Sequence, residues 1–297
     1  VDRISETDLI LNADGSVYHL NLLPGDIAST IITVGDPERV AAISKYFDRI
    51  EVRKSKREFV THTGYFGDKR LTVISTGIGT GNIDIVLNEL DALVNIDLDK
   101  RRVNDELQKL TIIRIGTSGA IQADIPVNSL LVSTAAVGFD SLMHYYPYTI
   151  SVNGQKFMDN LLATLPKNFP LFPYLAEADK GLLATLGEDI LKGITLTAPG
   201  FYAPQGRQLR AKNTLPDLIT TLQHFNFSDQ YLTNIEMETA GLYGMASALG
   251  HRAISFNVIL ANRVTQNFST QPQHAIEHNI KLILEKVTTT QYPLSDT

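Results

Sequence analysis

The sequence predicts an α/β fold on a largely parallel or mixed β-sheet, and three observations predict it. Short β-branched runs recur, and TIITVGD, LTVISTGIGTG and LTIIRIGTSGAI each lead into glycine, with NSLLVSTAAV and AISFNVILAN further on. Helical patterns follow several of these runs, and no Pro/Gly/Ser-rich linker or shift in composition divides the chain. Short apolar runs bounded by turn signals read as buried strands, and strands alternating with helices build an α/β layer structure. Residues 1–297 therefore read as one domain, with its functional edge where the strands run into glycine.

Each element has its own signal. After Gly35, the stretch Asp36-Pro37-Glu38-Arg39-Val40 supplies an N-cap residue, a proline at the first helical position and an acid in the first turn. After Gly81, IDIVLNELDALV carries apolar residues at helical spacing. The segment DLDKRRVNDELQK is charged throughout and is expected to be a solvated helix or loop. LTIIR carries Arg114 into an expected turn, Gly116-Thr117-Ser118-Gly119. A helix is expected to open on Glu236-Met237-Glu238 and run through Ala240, Gly241, Gly244, Ala246 and Ala248, too small-sided for a surface helix. HAIEHNIKLILEKV closes the pattern as an amphipathic helix.

Composition narrows the function classes. Hydrophobic residues at 43% and charged residues at 20% are ordinary for a globular chain able to bury a core. The lack of cysteine excludes a disulfide scaffold and a thiolate metal site, and fits a reducing compartment. A net charge of −6 argues against nucleic acid or an anionic membrane as the main partner, so an anionic ligand has to be small and locally captured. VDRISETDLI lacks the basic start and apolar stretch of a signal peptide, and no apolar run is long enough to span a bilayer. The expectation is a soluble cytoplasmic protein.

Arginine recurs at the strand ends. Arg39 falls in the first helical turn after GDP, where helix N–H groups and a guanidinium suit a tetrahedral dianion. Arg114 precedes the GTSG segment, whose amides and Thr117 hydroxyl suit an oxyanion. The competing reading is surface arginines beside loops. Glu236 and Glu238 flank Met237 as acceptors for neighbouring hydroxyls such as those of a ribose. An acidic first turn that complements the helix dipole is the alternative.

Taken in order along the chain, HLNL, GDPERV, SKREF, STGIG, RIGTSGAI, FYxxQGR, EMETAGLYGMA and the late NR pair resemble the nucleoside phosphorylases of the uridine phosphorylase type, over roughly Tyr18 to Val287. The resemblance implies a central mixed, partly barrel-like sheet flanked by helices, and phosphorolysis of a pyrimidine nucleoside with inorganic phosphate as co-substrate and no cofactor. It implies phosphate binding by Gly35, Arg39, Arg114 and Thr117, with Arg57 from a neighbouring subunit. Glu238 is implied to accept the ribose hydroxyls, Met237 to pack on the sugar, and His19 of the neighbour to bond the 5-hydroxyl. Phe201 is implied to stack on the base, with Gln205 and Arg207 bonding its polar edge. Arg114, Arg207 and Glu238 are the implied catalytic residues, and the shared site demands a homo-oligomer, a dimer or hexamer.

Several features bear on base and metal. Purine-specific relatives carry an Asp at the end of the late strand, where this chain has Ala261 and Asn262. The turn after STGIG reads Thr80-Gly81-Asn82 where pyrimidine enzymes carry a Gly-Pro-Ser type turn, so no monovalent cation beside Glu58 and no other metal is carried over. Ala203-Pro204 stands between Tyr202 and Gln205 in place of the usual glycine, which bears on base preference. Arg263 assists Arg207 or forms a structural ion pair. The alternatives on the same fold are a purine nucleoside phosphorylase and a nucleosidase. A partial glycine motif, Gly77, Gly79 and Gly81 with Asn82 at the third fingerprint position, leaves a NAD-binding oxidoreductase as a weaker reading, beside a non-catalytic nucleoside-binding protein. His274-Ala-Ile-Glu277-His278 matches an inverted zinc-peptidase pattern but is better explained as a solvated helix face, and His144 as a packed or rim histidine.

Overall fold

The computed structural model describes residues 3–167 and 169–289. In chain order the elements are β1 (Thr30–Val34), α1 (Pro37–Ser44), β2 (Arg49–Lys56), β3 (Phe59–Phe66), β4 (Lys69–Ser75), α2 (Thr80–Asn95), β5 (Ile96–Asp97) and β6 (Arg102–Val103). There follow β7 (Thr111–Ala120), β8 (Leu130–Gly138), α3 (Val152–Thr164), β9 (Tyr174–Glu177), α4 (Lys180–Leu186) and β10 (Leu191–Thr197). The last are α5 (Leu218–Gln223), β11 (Leu232–Glu236), α6 (Thr239–Ala248), β12 (Arg252–Asn262), β13 (Asn267–Phe268) and α7 (Pro272–Thr289).

β7 is the hub of the sheet. It pairs in parallel with β1 as far as Arg114 and, on its other side, in parallel with β12 along its whole length. Its last residues, Gly119 and Ala120, pair antiparallel with β11. From β12 the pairing passes through β8, β10 and β11 back to β7, closing a five-stranded barrel, while β1, β4, β3 and β2 extend outward as an open arm. The expected mixed, partly barrel-like sheet is therefore present. Between β1 and β11, residues 115–118 of β7 have a ladder partner only on the β12 side. That interruption opens the mouth of a cavity.

Chemistry along each strand fits its place. β1, β4 and β7 lie within the sheet and are buried along nearly their whole length, with apolar runs at their centres. β2, at the outer edge, alternates exposed and half-buried residues and carries Arg49, Glu51, Arg53 and Lys54, charges that discourage pairing with another strand. Asp36 caps α1 by accepting the Glu38 N–H at 2.9 Å. One apolar cluster packs α2 and α6 on the sheet around Ile83, Leu87, Leu90 and Tyr243, and a second packs α1, α4 and α7 around Ile43, Leu186 and Ile283. α6 is buried from Thr239 to Ala246, and a Cβ at Gly244 would come within 2.5 Å of Met143, so its small residues serve close packing.

Three local expectations need correction. Glu236 ends β11 and Glu238 is the N-cap of α6, so the helix starts at Thr239 and the two acids belong to a strand end and a cap. GTSG is not a turn: it continues β7, because β12 supplies a full ladder beside it. DLDKRRVNDELQK is neither helix nor plain loop. It begins as a hairpin, with Ile96 opposite Val103 and Asp97 opposite Arg102, tied down where Arg101 donates to the Leu9 carbonyl at 2.6 Å. No helix among the described residues is long and apolar enough to cross a membrane.

Candidate active site

A cavity of about 750 Å³ gathers Gly35 after β1, Gly77 after β4, Thr117–Gly119 of β7, Phe201 after β10, Ile235–Glu238 at the end of β11, and Leu260–Ala261 of β12. Strand ends of an α/β sheet are where such folds place ligands.

Arg114 is the centre of its polar wall. The guanidinium is buried, and its Nη2 meets Glu238 Oε2 at 2.5 Å and Glu236 Oε2 at 3.1 Å, while Nη1 donates to Asn257 Oδ1 at 3.1 Å. Burial opposes its charge, but the two carboxylates outweigh burial and raise its pKa. The guanidinium folds back over its own strand, which requires Gly116: a Cβ there would lie 1.8 Å from Arg114 Nη1. Gly116→Ala is expected to evict the guanidinium and destabilise the fold by about 1–3 kcal/mol, the usual cost of overpacking. Denaturant melts and turnover check this; a variant with unchanged turnover contradicts the placement.

The two acids divide their work. Glu236 accepts the Thr197 hydroxyl at 2.7 Å and the N–H groups of Glu238 and Thr239 at 3.0 Å, so it is the acid that caps α6. Glu238 accepts the Gly79 N–H at 2.7 Å through one oxygen and Arg114 through the other. Burial raises its pKa, Arg114 pulls it down, and the neighbouring Glu236 raises it. Arg39, from the first turn of α1, also lines the cavity; burial lowers its pKa, Asp36 works against that and the like charge of Arg114 adds to it. Arg39 and Arg114 thus bring two guanidiniums to one partly dry wall, with Glu236 and Glu238 beside Arg114.

Toward the β10 side, Phe201, Gln205 and Arg207 line the same cavity. Arg207 lies over the Phe201 ring, 3.8 Å from its centroid, and donates to the Phe201 carbonyl at 2.7 Å and to Gln205 Oε1 at 2.6 Å. Gln205 is buried, and with Oε1 taken by Arg207 its Nε2 is the donor left to it. Arg263 adds to this positive field: burial, then Arg263, lower the pKa of Arg207. No ion pair holds Arg263 among the described residues, and its buried Nη1 has no hydrogen-bond partner, which removes the structural ion-pair reading of this residue.

The sequence profile of the phosphorylase superfamily matches residues 29–288, nearly the whole of this framework. The chain belongs to the phosphorylase superfamily. It is 33% identical over 275 residues to the uridine phosphorylase of Thermococcus kodakarensis, covering 90% of this chain and 85% of that one. A solved nucleoside phosphorylase of Trypanosoma brucei, described as showing uridine phosphorylase activity, superposes with a TM-score of 0.87 at 29% identity, covering 95% of this chain and all of that one. A DeoD-type purine nucleoside phosphorylase of Colwellia psychrerythraea is more distant, at 26% identity over 272 residues, 91% of this chain and 98% of that one.

Within this superfamily framework, Asn262 is fully occupied. Its Nδ2 donates to the Gln122 and Ile125 carbonyls, and its Oδ1 accepts from Val264 and Thr265, so it turns the chain rather than facing a ligand. Glu58 lines the cavity, its Oε1 accepting from Asn82 Nδ2 at 3.1 Å. Glu277 of the HxxEH stretch is bound to Lys45 and Tyr46 instead. His144 is at the surface, its Nε2 2.7 Å from the Phe172 carbonyl.

His19 and Arg57 do not line this cavity. They lie together elsewhere: the Tyr18 ring is 4.9 Å from the His19 ring and 5.7 Å from the Arg57 guanidinium carbon. Arg57 is exposed at the tip of the β2–β3 hairpin, with φ of 55°. Asn257 escaped the sequence reading. Its signal was a polar residue two positions after Ser255 in a mostly apolar strand; both are fully buried, Ser255 meeting Thr239 of α6 and Asn257 meeting Arg114.

Proposed function

We propose that this chain is a pentosyltransferase that cleaves uridine with inorganic phosphate to uracil and ribose 1-phosphate. One observation carries the proposal: separate segments bring two arginines, a carboxylate free of capping duty and a Gln205–Arg207 donor pair to the walls of one cavity. Relatives named uridine phosphorylases support it, with the purine enzymes at lower identity.

In this reading Gly35, Arg39, Arg114 and Thr117 hold phosphate, joined by the partner subunit's Arg57. Glu238 accepts the 2- and 3-hydroxyls of ribose, Met237 packs on the sugar and the partner subunit's His19 takes the 5-hydroxyl. Phe201 carries the base, whose edge meets Gln205 and Arg207. A phosphate oxygen bonds to the anomeric carbon as the glycosidic bond breaks, and that electron pair enters the uracil ring. Donors aimed at the ring oxygens stabilise this charge most in the transition state, so no general acid is needed. The buried negative charge of Glu238 favours the positive character that develops on the sugar.

The full reading is a single nucleoside phosphorylase-like domain over residues 1–297, acting in the cytoplasm in nucleoside salvage without a cofactor. Its dimers share sites and assemble as a hexamer. The grouping of exposed Arg57 and half-buried His19 around Tyr18 supports the sharing, since neither residue lines the cavity of its own chain. A substrate panel tests the base. kcat/KM for uridine is expected to exceed that for inosine by at least roughly a hundredfold, because donors placed for the two carbonyl oxygens of uracil are only partly matched by the single carbonyl of hypoxanthine. Faster turnover of inosine or methylthioadenosine than of uridine contradicts it.

A further inference from the structure

We infer that Glu89 is a positioning residue that fixes the proton of the His19 ring on Nδ1 and so presents Nε2 as an acceptor for the nucleoside's 5-hydroxyl in the partner subunit's site. The inference rests on the proposed role of His19 and deepens it.

Glu89 belongs to α2, yet its side chain is 16% exposed rather than solvated like most glutamates on amphipathic helices. Its carboxylate turns toward the segment before β1. Oε1 lies 2.6 Å from His19 Nδ1 and 3.0 Å from the His19 N–H, and Oε2 takes the Leu20 N–H at 2.8 Å. Three donors on one half-dry carboxylate are what keeps its charge affordable there.

The chemical consequence follows from the donor inventory. An ionised carboxylate only accepts, so Nδ1 must carry a proton, and in the neutral ring Nε2 is then a bare lone pair. Nε2 has no hydrogen-bond partner among the described residues, and the edge-to-face contact with Tyr18 at 83° holds the ring plane. A primary hydroxyl can donate to such a nitrogen. With the proton on Nε2 instead, the hydroxyl hydrogen is left without this acceptor.

The test is the ratio of kcat/KM for uridine to that for 5'-deoxyuridine, which lacks only this hydroxyl. His19→Ala is expected to lower the ratio about tenfold, the upper worth of one neutral hydrogen bond. Glu89→Gln is expected to lower it in the same direction by roughly fivefold on the same scale, and the double variant no further than His19→Ala alone. If Glu89→Gln slows both substrates equally, Glu89 is only a staple for the backbone and the inference fails. A further drop in the double variant also overturns it, since the effect then bypasses His19. Should His19→Ala leave the ratio unchanged, the underlying role of His19 falls, which the Glu89 result alone does not decide. Long-range 1H–15N spectra of the unaltered protein give an answer that needs no variant to fold: the His19 proton is expected on Nδ1, and a proton on Nε2 overturns the inference.

Discussion

Replacing Arg114 by alanine is expected to lower kcat/KM for uridine by at least about thirtyfold, ~2 kcal/mol of transition-state stabilisation from the loss of one charged hydrogen bond. The guanidinium is the cation at the junction of the proposed phosphate and ribose sites, so its loss weakens both. A second effect accompanies the first. Glu236 and Glu238 remain buried without their counterion, and stability is expected to fall by about 3–5 kcal/mol, the cost of breaking a buried pair from one side. Adding Glu238→Gln to Arg114→Ala separates the two: it removes one of the two uncompensated charges and recovers part of the melting temperature, with no recovery of turnover. Phosphorolysis assays and thermal melts on the three proteins read this out. Phosphate dependence unchanged in Arg114→Ala refutes the phosphate assignment.

The other large effect belongs to Glu238. Glu238→Gln keeps the shape and an acceptor for the Gly79 N–H but loses the charge, and kcat/KM is expected to fall by about 2 kcal/mol or more. The pH profile carries the sharper signature. Burial holds the Glu238 carboxyl above its ordinary value of 4.5, Arg114 opposes, and Glu236 adds to the rise. Activity needs the ionised form, so kcat/KM in the unaltered protein falls as pH drops through a point above 4.5, and Glu238→Gln lacks that limb. Stability runs the other way. With the folded-state pKa raised, the folded protein holds the proton more tightly, so this group's contribution is fully present below the unfolded value and is lost as pH rises through the folded one. Across that window acidification therefore costs turnover while this site gains stability. An acid limb that persists unchanged in Glu238→Gln contradicts the assignment.

The part of the architecture that was legible has local signals. The apolar runs that became β1, β4, β7, β8 and β12, and the capped start of α1, needed only residue type and spacing. What escaped depends on distant partners. GTSG looks like a turn by its glycines, and only the β12 ladder beside it makes it strand. EME looks like a helical first turn, and only the placement of β11 beside β10 keeps Glu236 in the sheet. β10 and β11 went unread because LKGITLT and LTNIE are short and interrupted by glycine or asparagine, and the barrel itself closes through pairings between segments far apart in sequence. At the site, Arg39, Arg114, Gln205, Arg207 and Glu238 were recognised and line one cavity. The division of labour between Glu236 and Glu238 was not legible, since it turns on which acid reaches the N–H groups of α6.

Every role assigned to the cavity depends on inorganic phosphate acting as the nucleophile. Uracil released from uridine is measured in the presence and absence of phosphate, with ribose 1-phosphate followed in parallel. Release that requires phosphate, matched one for one by ribose 1-phosphate, is the predicted result; equal release in both tubes, with free ribose as the product, contradicts it.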